Sequence, residues 1–300
     1  VVLSGSGDAG MGPTPAAPLA PGVYTIVLTV SDGRGGTASD AVVVTVRDTT
    51  PPVLVGVPAP ITVEQSSPLG TVVDVPLPTA TDNCPGPLFV SSDASSFIPP
   101  RPAMFPPGST TVTFRTCDAQ CNRASATTTV TVVDTTRPSV TVVSPQPRDY
   151  LHSEVLLIGF SAADTGSGLA PGSPTAALDG TAVANGQSVA LLTLGLGQHS
   201  LVVSAADLAG NTASHPVSFR VIADVGSLIT AVNVFVGDGR IDDSNTPNGL
   251  LSKLNDAQDA IDKGKNNVGV NKLREFIDQV NGRAGRSIAP DAAQVLVTDA

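Results

Sequence analysis

The chain has 300 residues and a formal net charge of −10, with 14% charged and 3% aromatic residues. No Lys precedes Lys253, so most of the chain lacks the basic face that nucleic acids require, which excludes them as partners and disfavours anionic membranes for the same reason. Hydrophobic content of 41% can fill cores, no apolar run reaches the roughly 20 residues of a membrane helix, and the wealth of Thr, Val, Ser, Gly and Pro favours strands and tight turns.

Residues 1–48 read as the back half of a β-sandwich. Ile26, Leu28 and Val30 alternate with Thr25, Val27 and Thr29, and Val42, Val44 and Val46 repeat the pattern. Period-two alternation predicts two strands with one buried face. Asp32-Gly-Arg-Gly-Gly36 joins them as a hairpin. Two strands are marginal alone, so this piece is expected to need residues ahead of Val1, or a neighbour.

The hairpin then recurs. PGVYTIVLTVSDGRGGTAS (21–39), PGSTTVTFRTCDAQCNRAS (107–125) and LGQHSLVVSAADLAGNTAS (196–214) each place a Gly ten residues before an Asp, and Ala-Ser six and seven residues after it. The turn acids Asp32, Asp118 and Asp207 lie 86 and 89 residues apart, about one small β-sandwich. Junctions recur as well. Asp48-Thr-Thr-Pro-Pro52, Asp134-Thr-Thr-Arg-Pro138 and Asp224 divide the chain into 1–48, 49–134, 135–224 and 225–300. Proline makes such junctions short and stiff, which predicts a rod rather than a flexible string.

Several segments resemble known families. Pro78-Thr-Ala-Thr-Asp-Asn-Cys84, Phe105-Pro-Pro-Gly-Ser-Thr-Thr-Val112 and the closing TTTVTVVD make 49–134 similar to a hyalin repeat (HYR) domain, with Val57 where that family usually has a Cys. Residues 1–48 resemble the last strands of PKD-like repeats. Residues 135–223 resemble bacterial Ig-like domains through Phe160-Ser-Ala-Ala-Asp-Thr-Gly-Ser-Gly168 and Asp207-Leu-Ala-Gly-Asn211.

After Asp224 the period changes to that of helices. Leu228, Ile229, Val232, Phe235 and Val236 form one apolar stripe, as do Leu250, Leu254, Ala257 and Ile261, and then Leu273, Phe276, Ile277 and Val280. Pro247 and Pro290 stand where helices can start, and Gly264 and Gly282 where they can end. Four short helices are expected. The order GDGRID, LLSKLNDA, NKLREFIDQV, IAPDAAQVL resembles the FIMAH domain, which implies the C-terminal module of a secreted bacterial protein.

Candidate chemistry is sparse. Cys117 and Cys121 flank the turn Asp118-Ala-Gln120, near enough to suggest a disulfide, with Cys84 free or paired between chains; Cys84–Cys117 and Cys84–Cys121 are the alternatives. Asp82, Asn83 and Asp118 fall in loops and Asp48 and Asp134 in linkers. Sandwich loops gather at the two ends of a module, so linker acids can meet loop acids and share a Ca²⁺. Ordinary Asp turns account for the same residues. Gly237-Asp-Gly-Arg-Ile-Asp242 is not a calcium loop, because that register puts Val234 and Val236 at ligand positions; it reads as a helix-ending turn. His152, His199 and His215 lie in no catalytic motif, and GxSxG and P-loop patterns are missing from the sequence. With no Trp, flat sugar platforms are scarce, and Phe89, Phe97 and Phe105 read as core.

The expectation is a mainly β chain of tandem Ig-like antiparallel β-sandwiches ending in a small all-α bundle. It would serve as a non-enzymatic extracellular stalk or spacer, with calcium as the one candidate cofactor. The alternatives are an accessory region of a secreted hydrolase and a binding module for polysaccharide or matrix protein.

Overall fold

The computed structural model describes residues 2–4, 19–93, 102–242 and 245–300. They form two compact units, residues 1–134 and 135–300.

Unit 1 opens with a three-stranded sheet. Gly22–Ser31 and Thr37–Val46 form an antiparallel hairpin, and Val2–Ser4 runs parallel to the first of them. The expected buried face is open: Leu28 is 60% exposed and Val42 55%. Alternation is present in the sequence, but no described layer covers it.

The rest of unit 1 is a sandwich. Ile61–Glu64, Arg123–Val133, Gly108–Cys117 and Ser91–Ser92 form a four-stranded sheet in that order. Two short pairs accompany it, Val53–Val55 with Thr79–Thr81 and Thr71–Val73 with Ala103–Phe105. Val112, Phe114, Val130 and Val132 alternate inward and pack with Phe105, Val73 and Val75. Val57 packs against this cluster. Phe105 is core as expected, Phe89 is 70% exposed and is not, and Phe97 lies outside the described residues.

Unit 2 contains a second sandwich. Asp149–Leu151, Thr212–Ile222, Gly197–Ala206, Thr175–Leu178 and Thr181–Val183 make a five-stranded sheet, accompanied by the pairs Ser139–Ser144 with Gly159–Ala163 and Val155–Leu157 with Ser188–Ala190. Leu201, Val203, Phe219 and Val221 alternate into a core with Ile158, Leu178 and Leu191. His199 is a strand residue, as expected, with its ring between Asp179 (2.6 Å) and the Gly195 carbonyl (2.7 Å).

Four helices follow: α1 (Val225–Gly237), α2 (Asn245–Asp262), α3 (Asn266–Arg283) and α4 (Pro290–Asp299). Asp224 starts α1 with a capping box. Its carboxylate accepts the Ser227 N–H at 2.6 Å, and the Ser227 hydroxyl accepts the Asp224 N–H at 2.9 Å. The apolar stripes meet through Leu228, Val232, Phe235, Leu250, Leu254, Phe276, Val280 and Leu296. The outermost members of two stripes, Val236 and Ile261, stay 38% exposed. Gly264 ends α2 with φ +70, whereas Gly282 lies within α3, which runs one residue further. Gly239, with φ +78, turns the chain after α1, as a helix-ending turn requires.

The helices are fastened to the sandwich of their own unit. Leu192 packs on the helical core. His152, in the loop after Asp149–Leu151, meets Asp299 of α4 at 2.7 Å, with side chains 3% and 0% exposed. The other ring nitrogen lies 2.9 Å from the Leu194 carbonyl. A carbonyl only accepts, so this nitrogen donates, and at Asp299 burial pushes the carboxyl up against the opposing pull of the His152 hydrogen bond.

Candidate metal centre

The three repeated hairpins share one turn. Strand pairing ends at Ser31↔Thr37, Cys117↔Arg123 and Ala206↔Thr212, leaving five-residue turns that start at Asp32, Asp118 and Asp207. Each Asp carboxylate accepts the N–H four residues on, from Gly36 (2.9 Å), Asn122 (2.9 Å) or Asn211 (2.8 Å). The short side chain thereby replaces a backbone turn acceptor. The fourth turn residue needs positive φ: Gly35 (+99), Cys121 (+67) and Gly210 (+93).

This geometry corrects the cysteine expectation. Arg123, not Cys121, stands opposite Cys117, because the turn is five residues long. Cys121 sits in the left-handed region within the turn. Cys84, Cys117 and Cys121 are all free thiols, so neither Cys117–Cys121 nor a bridge to Cys84 is formed.

The turn of the first sandwich also holds the linker. Asn122 Nδ2 donates to Asp118 Oδ2 (2.7 Å) and to the Asp48 carbonyl (3.0 Å). Asp48 is thereby drawn in, 7% exposed, with Oδ1 accepting the Thr50 N–H at 3.0 Å. Asp82, half-buried just after the strand Thr79–Thr81, completes a group of three: ligand oxygens of Asp48, Asp82 and Asp118 lie within 4.8 Å of one another. Asn83 is exposed and outside the group. Asp134, half-buried after the strand Arg123–Val133, is also outside it.

Burial would raise the Asp118 carboxyl, but hydrogen bonds from Asn122 and the Gln120 N–H outweigh it and hold the group below the usual carboxylate range. Burial, followed by the neighbouring Asp48 carboxylate, pushes the Cys84 thiol up, so Cys84 stays a thiol and is a poor soft ligand. Chemically, the group can bind a hard cation; nothing in it is a nucleophile with an adjacent base.

Unit 2 repeats part of this arrangement. Asn211 Nδ2 donates to Asp207 Oδ2 (2.8 Å) and to the linker carbonyl of Thr136 (3.2 Å). Asp164 Oδ1 is buried without a partner. Asp207 is read from the sequence as a turn acid but neither it nor Asp164 as a candidate ligand, although the repeat register, which aligns Asp207 with Asp118, carried the signal.

Residues 225–300 match the model of the FIMAH domain. No curated protein matches the chain. Among solved structures it is similar to fibronectin(III)-like modules of Clostridium thermocellum CbhA (17% identity, 57% of this chain and 93% of that one, TM-score 0.25). It is also similar to human protocadherin-24 EC1-2 (14% identity, 58% and 100%, TM-score 0.27). Human desmocollin-1 ectodomain is a third (13% identity, 64% and 40%, TM-score 0.24). At these identities and TM-scores the likeness says nothing of what this chain binds.

Proposed function

We propose that this chain is a non-enzymatic extracellular spacer or adhesive stalk within a larger secreted bacterial protein. In this reading 1–48 is a PKD-like piece, 49–134 an HYR module, 135–224 an Ig-like module and 225–300 the FIMAH module. One observation carries it: the turn Asn of each sandwich hydrogen-bonds the linker entering that sandwich, Asn122 to Asp48 and Asn211 to Thr136. The repeated element thus serves to fix each module to its own lead-in segment, a mechanical task. Its turn carboxylates are engaged with the chain's own N–H groups. The FIMAH match supports an extracellular setting. No helix of the described residues is long and apolar enough to cross a membrane.

The test is a binding screen of the full chain against cell-wall glycans, polysaccharides and matrix proteins. A spacer shows no saturable binding. Saturable binding to one class would rule out the spacer and leave an adhesive or recognition role. A catalytic motif in the parent protein, outside these residues, would make the chain a hydrolase's accessory region.

A further inference from the structure

We propose that Asp48, Asp82 and Asp118 bind one Ca²⁺ at the linker end of the first sandwich, a property independent of the spacer reading. Their ligand oxygens lie within 4.8 Å of one another, and Asp48 and Asp118 are 7% and 8% exposed. Like charges this close repel, the more so where water is scarce. Among the described residues, no Lys, Arg or His forms an ion pair with any of the three.

The unpartnered oxygens point to a ligand. Asp48 Oδ2 and both Asp82 oxygens are shut off from solvent and accept no hydrogen bond. Buried carboxylate oxygens are rarely left so, because the desolvated charge is costly. Turn formation explains Asp118, whose oxygens accept from Gln120, Asn122 N–H and Asn122 Nδ2, and it explains Asp48 Oδ1. It leaves Asp48 Oδ2 and all of Asp82 unexplained.

Donor chemistry selects the ion. All three donors are carboxylates, with no sulfur or imidazole in the group, which suits a hard cation rather than zinc or copper. Two oxygens across a Ca²⁺, each at 2.3–2.6 Å, stand about 5 Å apart, so the observed spacing fits one ion. Mg²⁺ usually keeps most of its water and takes one or two carboxylates; three converging carboxylates favour Ca²⁺. The ion would tie the linker residue Asp48 to the loops of Asp82 and Asp118, reinforcing the bond from Asn122 to the Asp48 carbonyl.

The test uses the full chain, stripped with EDTA and titrated calorimetrically with CaCl₂ or MgCl₂. Asp82→Asn is the informative variant, because its oxygens make no protein bond that the amide would lose. Wild type should bind Ca²⁺ more tightly than Mg²⁺. The variant should take up one equivalent fewer, or bind that equivalent at least tenfold more weakly. At Ca²⁺ about a hundredfold above Kd, the melting of unit 1 should rise by roughly 5–10 °C in wild type and not in the variant. In EDTA the variant should melt at or above wild type, since a buried charge has been removed. Asp48→Asn, scored the same way, takes its place if Asp82→Asn does not fold. Equal Ca²⁺ binding by wild type and variant, no Ca²⁺ binding at all, or equal affinity for Mg²⁺ would overturn the assignment.

Discussion

His152→Ala should be among the most damaging single substitutions in unit 2. The ring lies 2.7 Å from Asp299 and 2.9 Å from the Leu194 carbonyl, and the Asp299 side chain is fully buried. Removing the imidazole strands a buried carboxyl group, already pushed up by burial, and leaves a carbonyl without its donor. Breaking one partner of a buried ion pair typically costs about 3–5 kcal/mol. At the roughly 3 °C per kcal/mol of a unit the size of 135–300, the helical transition should fall by roughly 9–15 °C. Circular dichroism at 222 nm follows that transition directly, because the helices lie in residues 225–299. Asp299→Asn keeps a hydrogen-bond acceptor and should cost less. The double variant His152→Ala/Asp299→Ala should be less damaged than the sum of its singles, since no charge is stranded. If His152→Ala melts within about 1 kcal/mol of wild type, the pair does not fasten α4 to the sandwich and the reasoning fails.

Other consequences follow from single contacts. Asp224→Ala removes the capping box of α1 and should lower helical stability by about 1 kcal/mol in urea titrations. Cys121→Gly relieves a left-handed residue at the position held by Gly35 and Gly210, and should leave stability unchanged or raise it by up to about 1 kcal/mol; a clear loss would mean the thiol is needed. All three cysteines should react with a thiol reagent in the native protein, Cys117 and Cys121 first and the less accessible Cys84 last; a protected pair would reveal a disulfide. Hydrogen bonds from Lys253 and then Lys272 hold the Glu275 carboxyl below its usual range. Its contribution is therefore fully present above about pH 4.5, the ordinary glutamate value, and is lost as pH falls through the lowered one. Acid melts of Glu275→Gln should show a shallower decline than wild type, and identical declines would count against the pair.

Much of the architecture could be read locally. Strand alternation, the recurring turn acid and the switch to helical spacing after Asp224 each depend on neighbours a few residues away. Short-range backbone and solvent preferences suffice to set them. The recurrence of Gly, Asp and Ala-Ser identified Asp118 as a turn acid, and the linker position identified Asp48. Other features depended on residues far apart in sequence. The alternation of Leu28 and Val42 predicted a buried face, but burial needs a covering layer, and periodicity cannot say whether one is present. Cys117 and Cys121 looked adjacent until strand register made the turn two residues longer than supposed. His152 and Asp299 are 147 residues apart, and no local pattern marks either as a partner. The convergence of Asp48, Asp82 and Asp118 is of the same kind. The sequence by itself determined that these acids lie in loops and linkers; only tertiary packing decided which of them share one buried space, because that depends on how the loops gather at the end of the sandwich and shut out water.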